Sequence, residues 1–117
     1  MRTRILIAFL SLLLGATIEA NAHAFLDHAD PRVGSAVAVA PRQLTLWFTQ
    51  KLEPAFSKVT VADSSGQRVD VGKPNINGTI MRIPLLGLKA GTYQVSWHAL
   101  SVDTHTTEGS FTFRVGQ

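Results

Sequence analysis

The 117-residue sequence contains no cysteine, and this absence excludes several classes of protein. Without cysteine the chain has no disulfide, no thiolate metal site and no cysteine nucleophile. Methionine is scarce as well, because Met81 is the only one after the initiating residue. Thioether sulfur is the ligand that soft metal ions prefer, so a soft-metal site is not expected.

A strong charge of one sign is also missing. The chain has 11 basic and 8 acidic residues, and removing Arg2, Arg4 and Glu19 leaves 9 and 7, a net charge of +2. No basic block interleaved with aromatic residues is present. Nucleic acid is therefore not an expected partner.

One apolar run stands out, over residues 5–16, with Arg2 and Arg4 before it. It is followed by Ala20-Asn21-Ala22, a small-x-small cleavage site. This pattern predicts a secretory signal peptide over residues 1–22 and one domain over residues 23–117. No later run is long enough to span a bilayer, so no membrane span is expected in the mature form. A weaker competing site, Ala22-His23-Ala24, would start the mature chain at Phe25.

Period-two alternation of apolar and polar residues dominates after residue 22. It predicts strands at residues 44–49, 59–61, 79–84, 93–99 and 111–115. In the short strand at residues 79–84, Ile80 and Ile83 are the expected core contacts. Glycine and proline separate these segments, which is typical of antiparallel architectures. We predict an all-β fold, a Greek-key barrel or sandwich of about seven antiparallel strands with an immunoglobulin-like arrangement.

Two histidines have neighbours that favour metal binding. A cut after Ala22 gives His23 a free α-amine, and this amine and the imidazole can chelate one ion. Asp103 and His105 follow the strand at 93–99 and are two residues apart, so in extended backbone their side chains share a face. A loop at the end of a rigid strand is suited to holding ligands.

The combined donor set is three nitrogens and one carboxylate oxygen, from His23, Asp103 and His105. It suits tetragonal Cu(II), and Zn(II) or Ni(II) would bind with lower affinity. Since the nitrogens must be deprotonated, affinity should fall on acidification. Spacing alone does not bring His23 to His105. The alternative is that His23 belongs to a disordered terminus and Asp103 caps a turn.

Other residues with functional potential favour structural interpretations. We expect His28 to be a solvated surface residue near the start of the first strand. His98, opposite Trp97, is expected to be structural or exposed, or to support His105. The aromatic residues Trp47, Tyr93 and Trp97 fit core or near-core packing. Ser101 and Thr104 near His105 do not form a hydrolase triad, because Asp-x-His in one loop has unsuitable geometry.

The sequence after the predicted cut resembles the CopC family of periplasmic copper-binding proteins. The similarity extends from His23 to Val115, and no single segment carries it alone. The matching segments, in order, are residues 23–26 (HAFL), 30–35 (DPRVGS), 44–49 (LTLWFT), 53–57 (EPAFS), 91–97 (GTYQVSW) and 101–113 (SVDTHTTEGSFTF).

The resemblance implies a Cu(II) site made by His23, Asp103 and His105, the same set that the donor chemistry favours. It also implies a Greek-key β-barrel and, together with the signal peptide, a periplasmic location. A non-enzymatic copper carrier or buffer is the expected function. The expected partners are the copper ion and either an inner-membrane copper transporter or another periplasmic copper protein.

Two departures from the family pattern bear on the metal site. Gln50 stands where the family often has a glutamate at or near the metal, so we expect Gln50 beside the ligands as a neutral supporting residue. The methionine-rich loop that gives some members a Cu(I) site is missing.

Two competing functions remain from the sequence. An N-terminal histidine brace on a β-sandwich also describes copper redox enzymes that attack polysaccharides. A domain of this size has little room for a broad substrate face, and Asp103 would fill the position that oxygen must occupy. The other competitor is a metal-free adhesion or chaperone module, for which His23 would be dispensable.

Overall fold

The computed structural model describes residues 24–116, which form a sandwich of two four-stranded sheets. The fold class is the predicted all-β, immunoglobulin-like one, with eight strands in the described residues rather than about seven. A single-turn 3-10 helix at Pro54–Phe56 interrupts them. The strands are β1 (Leu26–Asp30), β2 (Ala36–Val37), β3 (Gln43–Phe48), β4 (Lys58–Ala62), β5 (Asn75–Asn77), β6 (Ile80–Pro84), β7 (Gly91–Leu100) and β8 (Thr106–Val115).

The first sheet has the order β1-β3-β6-β5 and the second the order β2-β8-β7-β4. All but one of the neighbouring pairs are antiparallel, as predicted. The prediction was wrong for β2, which runs parallel to β8. This pair forms because the chain leaves β1 at the edge of one sheet and enters the edge of the other. The part of the chain that the structure describes contains no helix long and apolar enough to cross a membrane.

The core lies between the sheets and follows the predicted alternation on β7. Every second residue of that strand faces inward and is buried: Tyr93, Val95, Trp97 and Ala99. On β6 the prediction was wrong for Ile80, which is only half-buried, because Met81 and Ile83 face the core. Ile80 and Ile83 are three residues apart and therefore lie on opposite faces of a strand.

Trp97 is packed closely in the core. Its ring meets Phe48 edge-on, with centroids 5.1 Å apart and an interplanar angle of 76°. Opposite it on β8, a Cβ at Gly109 would lie 2.7 Å from the indole, so only glycine leaves room for this ring. Trp47, by contrast, is half-buried and stacks at 4.3 Å on the exposed ring of His28.

The outer edge of β4 is covered by the segment at residues 68–71. Val69 N–H donates to the carbonyl of Val61 (2.8 Å), and Val61 N–H donates to Asp70 Oδ1 (2.9 Å). Val71 N–H donates to the carbonyl of Pro84, which ends β6 in the other sheet (3.0 Å). This segment therefore joins the two sheets along one side.

Candidate metal site

Two of the predicted ligands, Asp103 and His105, lie in the turn that joins β7 to β8. Thr104 N–H donates to the carbonyl of Ser101, and Ser101 N–H donates to the carbonyl of His105, both at 2.9 Å. The backbone here is a tight turn and not the extended chain that the sequence argument assumed. The two side chains nevertheless lie close together, because the turn folds them back toward each other.

The Asp103 carboxylate and the His105 ring are close and accessible. Asp103 Oδ1 lies 3.5 Å from His105 Nδ1, and the side chains are 46% and 48% exposed. The hydroxyl of Ser101 donates to Asp103 Oδ1. This hydrogen bond, with a smaller effect of His105, lowers the pKa of the Asp103 carboxyl below its ordinary value. The Asp103 carboxylate is therefore ionised at neutral pH and partly exposed, as an oxygen ligand for a metal ion must be.

Thr104 has a left-handed backbone conformation, with φ of 74°. This is unfavourable for a β-branched residue and costs about 1 to 3 kcal/mol. The turn is fixed by contacts with the segment after β3: Val102 N–H donates to the carbonyl of Lys51 (3.0 Å), and Leu52 pairs with Ser101. These contacts hold the strained turn, and with it the two side chains, in one arrangement.

The first described residues are attached to the same end of the sandwich. Ala24 is completely buried, and its carbonyl accepts a hydrogen bond from Thr107 Oγ1 (2.6 Å). Phe25 N–H donates to Thr49 Oγ1, and Thr49 N–H donates to the carbonyl of Phe25, both at 2.9 Å. His23 and the predicted signal at residues 1–22 lie outside the described residues.

Gln50 is half-buried and lies between these two attachments. The residue before it, Thr49, bonds to Phe25, and the residue after it, Lys51, bonds to Val102 in the ligand turn. Gln50 therefore lies between the amino-terminal segment and the Asp103–His105 turn, where a residue supporting the site would be expected.

Sequence reasoning missed the residues that hold this end together. Ser101 is completely buried and orients Asp103, but the sequence argument considered it only as a hydrolase component. Its Ser-x-Asp spacing is typical of local side-chain hydrogen bonding and was an available signal. Thr49 and Thr107 gave no signal, because their partners are 24 and 83 residues away.

The other two described histidines lie elsewhere. His28 is exposed on β1, as expected, with its Nδ1 2.7 Å from Asp27 Oδ2. His98 is half-buried on the outer face of the second sheet, opposite Lys58 and Glu108 on the neighbouring strands. Its Nδ1 is buried and has no hydrogen-bond partner within residues 24–116. These same residues contain no cluster of three or more potential metal ligands.

The class of protein described so far is an immunoglobulin-like β-sandwich with an aspartate and a histidine in its β7–β8 turn. The chain belongs to the CopC family, since residues 26–116 match the CopC domain. This confirms the resemblance found in the sequence.

Two of the curated relatives illustrate the similarity. The copper resistance protein C of Escherichia coli is 36% identical over 114 residues, covering 89% of this chain and 90% of that protein. The copper transport protein CutJ of Bacillus subtilis is 33% identical over 100 residues, covering 82% of this chain but only 18% of CutJ.

A solved structure has the same fold. The crystal structure of PcoC, described as a methionine-rich copper resistance protein from Escherichia coli, superposes with a TM-score of 0.72 at 36% identity. The match covers 80% of this chain and 99% of that chain. Fold and family are therefore those of copper resistance proteins, although this chain is poor in methionine.

Proposed function

We propose that this protein binds Cu(II) in the periplasm and buffers or carries it for copper homeostasis and resistance. The proposed ligands are the α-amine and imidazole of His23, the carboxylate of Asp103 and the imidazole of His105. Family membership supports copper as the metal, since relatives are copper resistance and copper transport proteins.

One observation carries the proposed ligand set: the hydrogen bond from Thr107 Oγ1 to the carbonyl of Ala24. Thr107 is two residues beyond His105, about 7 Å along an extended strand. The residue before Ala24 has its Cα about 3.8 Å from the Cα of Ala24. The covalent chain and a histidine side chain are long enough to close the remaining gap to the Asp103–His105 turn.

The donor chemistry favours Cu(II) over Cu(I). Three nitrogens and one carboxylate oxygen suit a tetragonal Cu(II) centre, whereas Cu(I) favours sulfur. Met81, the only methionine in the described residues, is completely buried in the core and is not available as a ligand. The ionised Asp103 supplies a negative charge that partly compensates the cation. Gln50 is proposed to support the ligands without contributing charge.

The proposed partner is an inner-membrane copper transporter or another periplasmic copper protein. The match to CutJ supports the first of these, because a segment similar to this chain occupies 18% of that longer copper transport protein. The predicted signal peptide, cut after Ala22, would direct the chain to the periplasm and expose the His23 amine.

The test is mass spectrometry of the exported protein with and without Cu(II), followed by a copper titration. We expect a chain that begins at His23 and binds one Cu(II). A form beginning at Ala24 should bind more than about 100-fold more weakly, since it lacks two donors of the set. His28→Ala is the matched control, because it removes an exposed histidine of β1 that is outside the proposed ligand set.

Equal affinity of the two forms would contradict the proposed site, and so would a mature chain that begins at Phe25. Reductant-dependent peroxide formation with polysaccharide cleavage by the copper-loaded protein would instead favour the histidine-brace redox enzyme. If function survived removal of His23, a metal-free adhesion or chaperone module would be the better interpretation.

A further inference from the structure

We infer that Thr49 and Thr107 are positioning residues that hold the amino-terminal segment in its metal-binding position. We call this pair the threonine latch. The inference rests on the proposed function, because it concerns the same site. It adds two residues outside the proposed ligand set.

The two threonines bind the two polar atoms of one peptide group, Ala24–Phe25, from different sheets. Thr107, on β8 of the second sheet, donates its hydroxyl to the carbonyl of Ala24 (2.6 Å). Thr49 follows β3 of the first sheet, and its hydroxyl accepts the N–H of Phe25 (2.9 Å). The segment before β1 is therefore tied to both layers of the sandwich at once.

Side chains supplement a short backbone ladder here: beyond the β1–β3 pairing, Thr49 N–H donates to the carbonyl of Phe25 (2.9 Å), and Ala24 lies one residue further out. The pairing of β1 with β3 begins at Leu26 and is already irregular between Leu26 and His28. Ala24 is completely buried but offers only a methyl group to the core, which contributes about 1 kcal/mol of apolar burial. Hydrogen bonds to the threonines are thus a large part of what keeps this segment in place.

The latch acts on the proposed copper site through the fraction of molecules in which the segment is docked. When the segment undocks, the proposed α-amine and imidazole ligands of His23 move away with Ala24. Asp103 stays in place, because the Ser101 hydroxyl donates a hydrogen bond to it. When the binding-competent state is only partly populated, apparent affinity falls by that fraction. Loss of the Thr107 hydroxyl also leaves the buried carbonyl of Ala24 without this donor, which favours undocking.

The experiment compares Thr107→Val, which keeps the shape and removes the hydroxyl, with Thr107→Ser, which keeps the hydroxyl. Thr112→Val is the matched control, because Thr112 is exposed on the outer face of the same strand. For each protein we would measure hydrogen exchange at the Phe25 amide without metal, Cu(II) affinity and the Cu(II) electron paramagnetic resonance spectrum. Thermal unfolding reports whether each variant folds.

In Thr107→Val the Phe25 amide should exchange about 10-fold faster, and Cu(II) affinity should fall about 3-fold to 30-fold. Its spectrum should show a second, less ordered copper population. Thr107→Ser should restore affinity and spectrum to near the wild type, and Thr112→Val should change neither. If Thr107→Val does not fold, Thr49→Val removes the other side-chain hydrogen bond, which Thr49 accepts from the Phe25 N–H, and it should give the same pattern.

The outcomes separate this inference from the proposed function. Wild-type protein that binds Cu(II) equally well without His23 would contradict the proposed function itself. Wild-type protein that needs His23, together with unchanged affinity in Thr107→Val, would overturn the latch alone. Faster exchange at Phe25 without any change in affinity or spectrum would show that the threonines are only structural, and would also overturn it.

Discussion

Two aspartates sit in tight turns of this domain and differ in what surrounds them. Asp63 Oδ1 accepts hydrogen bonds from the backbone N–H groups of Ser65 and Gln67, both at 2.9 Å, and from Ser65 Oγ at 2.6 Å. Asp103 Oδ1 accepts one from Ser101 Oγ and lies 3.5 Å from His105 Nδ1. In both turns a serine hydroxyl is the main reason why the pKa of the aspartate is lowered.

The comparison shows that a lowered carboxyl pKa does not by itself mark a functional site. Structural turns also lower the pKa of an aspartate, as binding sites do. What distinguishes Asp103 is the adjacent imidazole of His105 and the nearby attachment of the amino-terminal segment at Thr107. Asp63 is surrounded by donors of its own turn and serves to close that turn.

The largest expected effect comes from removing the His105 imidazole, which is present beside Asp103 and has no counterpart beside Asp63 among the described residues. His105→Ala should weaken Cu(II) binding more than about 100-fold, because a direct ligand is lost and outer residues alone account for up to that factor. Competition titration against a chelator of known affinity measures this loss. Wild-type affinity in His105→Ala would exclude the proposed ligand set.

The second prediction compares the aspartates directly. Asp103→Asn should weaken Cu(II) binding about 10-fold to 100-fold, because an anionic oxygen donor becomes a neutral amide. Asp63→Asn should leave copper affinity unchanged, since its turn holds no proposed ligand. Equal effects of the two substitutions in the same titration would mean that Asp103, like Asp63, is only structural.

The third prediction compares the serines that orient the two carboxylates. Ser101→Ala removes the hydroxyl donor to Asp103 and should weaken Cu(II) binding about 10-fold. Ser65→Ala removes the equivalent donor to Asp63 and should not affect copper. Isothermal titration of both variants measures the difference, and an unaffected Ser101→Ala would show that the turn keeps Asp103 oriented without it.

A smaller effect is expected at Gln50. Gln50→Glu adds a negative charge beside the proposed site, which should tighten Cu(II) binding about 3-fold to 10-fold. Gln94→Glu, on the exposed outer face of β7, adds the same charge at a distance and is the control. Unchanged or weaker binding in Gln50→Glu would count against the proposed supporting role of Gln50.

The smallest effect concerns stability at acid pH. Because the pKa of Asp63 is lowered by its turn, its contribution is fully present above the unfolded value of about 3.9 and is lost as pH falls through the folded value. Asp63→Asn should therefore be less stable than the wild type at pH 7 and closer to it at pH 3. Urea unfolding at both pH values tests this, and a constant difference would contradict it.

The sequence was most informative where the pattern repeats. The alternation predicted the faces of β7 over residues 93–99 and of β8 over residues 111–115, because apolar and polar residues alternate there without a break. The first half of β8, residues 106–110, has no apolar side chain to alternate and was not predicted. β2 and β5 have two and three residues, too few to show any period, and were not predicted. The parallel pairing of β2 with β8 depends on the path between the sheets, which local patterns do not encode.

The candidate site was predicted only in part. The proximity of Asp103 to His105 was expected from their spacing, although the strained turn at Thr104, and not an extended strand, produces it. Ser101 and Thr107 were missed because a hydroxyl has no pattern of its own and its partner is set by the tertiary fold. The role of His23 stays a prediction, since that residue lies outside the described part of the chain.

The covered edge of β4 affects how this protein behaves at high concentration. Open strand edges are templates for polymerisation, and residues 68–71 occupy this one. The terminal strands β2 and β5 offer only two and three residues, and the irregular pairing of β1 twists its edge. The edges are thus protected against pairing between copies of this domain, even though no disulfide reinforces it, and the proposed copper buffer would need this protection at the abundance that buffering requires.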